Sequence, residues 1–310
     1  MLAAGIRTYD GDIELLELPD PRPPGADEVL MRMRAAGAGV WEDEIRTGGW
    51  DIGHPPPLAL GVEAAGVLEA VGAAVTGLSP GDWVMSYLVP LRDQGAWSES
   101  LLAPAALTVA KPPNVGWASA GALPAPGITA VQVVESVLRL GPGERVLICG
   151  AGGVTGGCLV QLAALAGAVV TATASAASAP RVLGYGAHDV VDYHDADWPD
   201  HVRAATGGDR VEVAIVAAPG ASAAALPTVR DGGRLLTIVA DPPAAERGID
   251  VYDFVLEPER ASLSRAAELA AEGFLRVPVA LELPLYQAAS GLKRAVAGQH
   301  GGAVALTMGP

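Results

Sequence analysis

The spacing of apolar residues divides this chain into stretches of different rhythm. Up to about residue 117 the signals are short and β-like. Residues 1–9 and 13–18 are strand-like pieces separated by Gly11-Asp12, and residues 28–34 alternate apolar and polar positions at period two, the pattern of a half-buried strand. Residues 19–24 are rich in proline, which cannot donate to a ladder, so they read as a connector. Residues 60–72 alternate small and apolar side chains, as strand backbone does when neighbours approach closely. Pro80-Gly81 supplies a turn feeding a strand near residues 83–85, and residues 94–99 lead into another short strand. The expectation is an irregular, glycine-punctuated β domain over residues 1–117.

From Ala118 the period lengthens. Residues 118–123 and 127–138 have helical composition, with Pro124 and Pro126 expected to break the chain between them. Strands at 145–148, 168–174, 190–193, 211–217 and 234–239 then alternate with helices at 154–166, 179–185, 198–206 and 222–229. That alternation belongs to an α/β domain built on a parallel sheet. Residues 241–260 read as a loop with short helices. A helix at 263–272, a strand at 275–279, a helix at 287–296 and a strand at 303–308 follow. The expected division is 1–117, 118–258 for the α/β domain, and a segment 259–310 returning to the first domain.

One stretch carries recognisable chemistry. Arg145-Val-Leu-Ile-Cys-Gly-Ala-Gly-Gly-Val-Thr-Gly-Gly-Cys158 runs from a buried strand through glycines into a helix. A strand, a glycine turn and a helix form the phosphate-binding corner of a dinucleotide fold. The spacing falls on Ala151, Gly153 and Gly156, and Val154 and Thr155 open the helix. Its N-terminus offers free N–H groups and a partial positive charge to a pyrophosphate. Glycine spacing alone discriminates little in a chain with 39 glycines among 310 residues.

Composition narrows the alternatives. A formal charge of −15 repels nucleic acid and anionic membranes, so neither is an expected partner. No apolar run approaches the ~20 residues of a membrane span, and no charged-then-apolar leader is read at the N-terminus. Cys149 and Cys158, the only cysteines, both lie in the glycine corner, where a disulfide is implausible; free, buried thiols suit a reducing cytosol.

The order of the pieces points further. The words Leu60-Gly-Val-Glu-Ala-Ala-Gly66, Val71-Gly-x5-Leu78-x-Pro-Gly-Asp-x-Val84, Gly95-Ala-Trp-Ser-Glu99, Ala122-Leu-Pro124, Gly127-Ile-Thr-Ala130, Gly143-Glu-Arg-Val-Leu147, Gly186-Ala-x-x-Val-Val-Asp-Tyr193 and Gly232-Gly-Arg-Leu235 occur in sequence. Nearly end to end, the chain resembles the medium-chain dehydrogenase/reductase superfamily, in its zinc-independent quinone oxidoreductase branch. The resemblance implies a GroES-like β domain plus a Rossmann domain with the active site in the cleft between them, a homodimer paired edge to edge through the Rossmann sheet with residues 275–279 as the edge, and a cytoplasmic enzyme.

Zinc is not expected. Where zinc-dependent relatives place a Cys and a His, this chain has Val40-Trp41 and Gly61-Val62-Glu63, and His188, His194 and His201 read as surface residues. NADPH is expected rather than NADH. The second strand of the α/β domain ends without the acid that would bind a ribose 2′-OH. By resemblance Ser175 and Tyr193 lie by the 2′-phosphate; the family's lysine is missing, Ser178 or Ala179 stands in its place, and Arg181 is the nearest cation. Thr129 matches a threonine near the nicotinamide. Ala217 and the 239–241 loop, with Val239 and Ala240, would contact the cofactor through backbone groups. On the substrate side Asp43 keeps one position of the family's Asn-Pro-x-Asp word while Val40 replaces its Asn. Trp41, Gln94 and Trp97 are polar or aromatic candidates, with ordinary core packing the competing reading for both tryptophans, and Glu63 either lies beside the cleft or braces Arg46. The implied reaction is hydride transfer to a quinone or to the C=C of an α,β-unsaturated carbonyl. The alternatives are an enoyl reductase tailoring a polyketide or other secondary metabolite, and a non-catalytic NADPH-binding sensor or structural protein.

Overall fold

A computed structural model describes residues 1–298 and 301–308. The chain forms two compact units, one of residues 1–128 and 258–310, the other of residues 129–257. Among the described residues no helix is long and apolar enough to cross a membrane.

The first unit opens with β1 (Leu2–Ile6), β2 (Glu14–Glu17) and the long β3 (Glu28–Ala38), followed by helix α1 (Val40–Arg46). Then come β4 (Leu58–Ala59), β5 (Glu63–Val71), β6 (Trp83–Tyr87), β7 (Ser100–Pro104) and β8 (Thr108–Ala110). Strand β3 is the axis: its Met31, Met33, Ala35 and Ala36 are buried, and β5, β7 and a strand from late in the chain all pair with it antiparallel. The alternation at residues 28–34 thus belongs to a central strand with one covered face. A smaller sheet has the order β2-β1-β4.

Helix α2 (Trp117–Gly121) packs on β3 and β5, so residues 118–128, expected to open the dinucleotide domain, group with the first unit. The two prolines expected to break the chain instead start α3 (Pro124–Val131). They occupy its first turn, where the N–H groups have no intrahelical partner to lose. The helix continues as a π-helical turn over Gln132–Val137.

In the second unit, β9 (Arg145–Cys149), α4 (Val154–Leu165), β10 (Val169–Thr173), α5 (Ala179–Gly184), β11 (Asp189–Val191), α6 (Trp198–Ala205), β12 (Val211–Val216), α7 (Ser222–Ala225) and β13 (Val229–Thr237) realise the expected alternation. Within the stretch expected to be loop, β14 (Asp250–Asp253) adds an edge strand. The parallel sheet runs β11-β10-β9-β12-β13-β14, the doubly wound Rossmann order, with its switch point between β9 and β12. Its central strands are apolar almost throughout because both faces are covered.

The chain then returns to the first unit through α8 (Arg260–Glu272), β15 (Val279–Pro284), α9 (Ala288–Ala297) and β16 (Ala303–Thr307). Strand β16 lies between β15 and β3. The strand expected at 275–279 as the Rossmann edge is therefore corrected: Leu275 and Val277 are buried in a non-strand segment, and the strand begins after Pro278 in the sheet of the first unit. The fold class, a GroES-like β domain with a Rossmann domain, is as expected.

Candidate cofactor-binding site

The glycine corner lies at the carboxyl end of β9. The amide of Gly150 donates to Thr173 Oγ1 at 3.2 Å and that of Ala151 to the Thr173 carbonyl at 3.1 Å, tying the corner to the end of β10. Gly150 has φ +79°, and a Cβ there would fall 2.7 Å from the Ala217 carbonyl. Gly156, in the first turn of α4, is tighter: its Cβ would sit 2.1 Å from the Gly150 oxygen. Only glycine lets the helix approach the corner this closely. Gly153, the residue before α4, is exposed, and the nearest atom to a Cβ placed on it is 3.4 Å away. Val154 and Thr155 follow, half-buried at the helix N-terminus. An open face beside unpaired first-turn amides and a helix dipole is what a pyrophosphate requires, so these residues fit a dinucleotide.

The structure places Arg181 on the same corner. From α5 it donates through Nη2 to the Gly152 carbonyl at 3.0 Å and to Ser178 Oγ at 3.2 Å, and its guanidinium lies 5.8 Å from the Tyr185 ring centre. Ser178 is in turn 3.4 Å from Ser175 Oγ. Three of the four residues expected around a 2′-phosphate are thus brought together. Tyr193 is exposed and stacks on His194, with 4.2 Å between ring centres. His194 bonds Asp192 at 2.7 Å. The backbone and imidazole of His194, with the Ala176 amide, hold the Asp192 carboxyl below its usual range. Strand β10 ends without an acid of its own, but Asp192, the residue after β11, stands beside the loop, a neighbour sequence reasoning did not foresee.

Across the switch point, Ala217 donates to the Cys149 carbonyl at 3.0 Å, and Val239 and Ala240 follow β13, with Ala240 at φ +54°. Asp241 was expected to matter only through its backbone. Its carboxylate instead accepts from Ser222 Oγ and Thr237 Oγ1, each at 2.6 Å, and from the Gly220 amide at 2.8 Å. Cys149 and Cys158 are free and buried, and burial pushes the Cys149 thiol up to about 12. Thr129 is buried within α3.

In the first unit the substrate-side candidates are held by protein partners. Asp43 pairs with Arg46 at 2.8 Å, so Arg46 is braced from its own helix rather than by Glu63. Trp41 meets Trp50 edge to face at 6.5 Å. Gln94 Oε1 accepts the Ala59 amide at 2.7 Å, and the buried Trp97 donates to the Gly37 carbonyl at 2.9 Å. Glu63 is buried and accepts the Ala125 amide at 2.7 Å, at the start of α3. A second buried acid accompanies it. Glu42 takes the Gly39 amide at 2.8 Å and the Val62 amide at 3.3 Å. Burial pushes Glu63 up to about 8, with the Glu42 charge adding to it, and pushes Glu42 up to about 7. Burial, then these two acids, raise Tyr87, which lies opposite Glu63 across β5 and β6. The half capping box formed by Glu42, three residues beyond Gly39, was the available sequence signal.

Val40 is exposed and Val62 buried, and neither side chain has a donor atom for a metal. Among the described residues no three His, Cys, Asp or Glu side chains gather as a metal-holding group. His188, His194 and His201 are exposed.

The family model for zinc-binding dehydrogenase matches residues 154–266, and that for the alcohol dehydrogenase GroES-like domain matches residues 25–113. The chain is 32% identical to the pikromycin polyketide synthase component PikAII of Streptomyces venezuelae, over 96% of this chain and 8% of that protein. Among solved structures, an NAD-dependent alcohol dehydrogenase superposes with TM-score 0.91 at 28% identity over the whole of both chains. A quinone oxidoreductase of Pseudomonas syringae pv. Tomato DC3000 does so with TM-score 0.89 at 25% identity over 99% of each. The chain spans between 8% and 58% of the length of the first curated relatives it matches. With both domain models in order and the Rossmann strand order in place, the chain belongs to the medium-chain dehydrogenase/reductase superfamily, in its quinone oxidoreductase branch.

Proposed function

We propose that this chain is an NADPH-dependent, zinc-free oxidoreductase that reduces a quinone or the C=C bond of an α,β-unsaturated carbonyl compound. The observation that carries the reading is the glycine corner opening α4, with Arg181 held against Gly152 and Ser178. A bound nicotinamide supplies hydride. The chain's own part is to hold the pyrophosphate on the α4 amides, to offer a cation to the 2′-phosphate and to orient the rings. Trp41 and Asp43 retain part of their surface and are the candidates to face substrate, whereas Glu63 and Gln94 are internal and would brace the loops behind it. The absence of donor atoms at Val40 and Val62 supports the zinc-free reading.

Titration with NADPH and NADH, followed by nicotinamide fluorescence, tests it. The wild-type protein should prefer NADPH, and Arg181→Ala should weaken NADPH by about tenfold while leaving NADH unchanged. Equal weakening of both would remove Arg181 from the phosphate site, and preference for NADH would make the Asp192 neighbourhood dominant. A second reading, an enoyl reductase acting on a polyketide, is favoured by the match to PikAII across nearly all of this chain. Faster turnover of an enoyl thioester than of quinones would select it. The proposal includes a cytosolic homodimer, with β14 as the candidate edge, checked by sedimentation.

A further inference from the structure

We propose that the Asp241 side chain is a positioning residue for the nicotinamide end of the cofactor, acting by tying the loop after β12 to the end of β13. The inference rests on the dinucleotide reading above. Gly220 and Ser222 follow β12, and Thr237 is the last residue of β13. One carboxylate gathers all three, with two hydroxyls on Oδ1 and an amide on Oδ2. Ser222 and Thr237 are buried, so these donors depend on Asp241 rather than on water. The Val239 amide joins the same cluster, donating to Thr237 Oγ1 at 3.2 Å. Between them Ala240 is held at φ +54°, a left-handed conformation that a residue with a Cβ keeps only where its surroundings over-determine it.

The two segments so joined contain Ala217, Val239 and Ala240, at the carboxyl ends of β12, which borders the switch point, and of its neighbour β13, and this fold binds its ligand at the carboxyl ends of the strands by the switch point. Both Asp241 oxygens already accept protein donors, so the role assigned to it is to hold the two loops rather than to contact the ligand. Burial works against its charge, but the hydroxyl and amide donors outweigh it and hold the carboxyl below its usual range, so the clamp stays ionised at neutral pH. The adenosine end lies elsewhere, at the β10 loop with Ser175 and Arg181.

Asp241→Asn exchanges one acceptor oxygen for an NH2, so one side of the clamp must open. The test compares NADPH with adenosine 2′,5′-bisphosphate, which lacks the nicotinamide, by calorimetry on the wild type, Asp241→Asn and Ser222→Ala. Asp241→Asn should bind NADPH about tenfold more weakly and adenosine 2′,5′-bisphosphate unchanged, with Ser222→Ala shifted the same way by less. Should Asp241→Asn fail to fold, Ser222→Ala carries the same comparison. Equal loss of both ligands, or loss of neither, overturns the clamp alone. A wild-type protein that binds neither ligand overturns the dinucleotide reading and this inference with it.

Discussion

At the scale of single residues, the corner separates packing from ligand contact. A methyl group on Gly156 has nowhere to go against the Gly150 carbonyl, whereas one on Gly153 would meet the Gly150 oxygen only at an ordinary contact distance of 3.4 Å. Gly156→Ala should therefore lower the unfolding free energy by about 2 kcal/mol, the usual cost of forcing an extra carbon into a packed site, as measured by urea denaturation. Gly153→Ala should leave that midpoint near the wild-type value and still weaken NADPH binding, because its methyl stands where the pyrophosphate would come. The glycine spacing made the corner legible in the sequence, but which glycine packs and which faces the ligand depends on distances no spacing encodes. Arg181 was legible as the nearest cation to a missing lysine. Its grip on the Gly152 carbonyl comes from α5 following β10, whose neighbour β9 leads into the glycine corner, and the presence of Asp192 across from Ala176 comes from β10 and β11 lying side by side.

Among elements, α1, β5 and α3 meet around two buried carboxyls, and the meeting makes stability pH-dependent. Glu42 and Glu63 titrate near 7 and 8 in the folded protein, against 4.5 for an ordinary glutamate. The folded state therefore binds protons that the unfolded chain has released. The stability this contributes is fully present below about pH 4.5 and is lost as pH rises through 7 to 8. The melting temperature should fall between about pH 5.5 and pH 8.5, and Glu63→Gln, whose carbonyl still accepts the Ala125 amide, should flatten that fall in scanning calorimetry. An identical slope in the variant would place the titration elsewhere. Strand and helix types were mostly readable where one face is apolar. They were not where tertiary context decided. Strand β14 escaped notice because Asp250-Val-Tyr-Asp253 buries almost nothing and exists by pairing with β13. Pro124 and Pro126 looked like breakers because sequence alone does not say on which side of a proline a helix lies.

For the molecule as a whole, a charge of −15 spread over one chain disfavours the compact state through self-repulsion, and the surface ion pairs contribute little against it. Raising salt from low to about 0.3 M should therefore raise the melting temperature by screening that repulsion, whereas a fall would show that ion pairs dominate. The placement of β16 has another consequence. Val304 pairs with Ala38 and Thr307 with Ala35, so the central strand of the first unit waits for a partner encoded far downstream, while the Rossmann sheet closes entirely within residues 145–253. On the ribosome the inserted unit can be complete while β3 still offers an unpaired edge. Nascent chains of this protein should thus depend on a chaperone late in synthesis, after their inserted Rossmann unit has already formed.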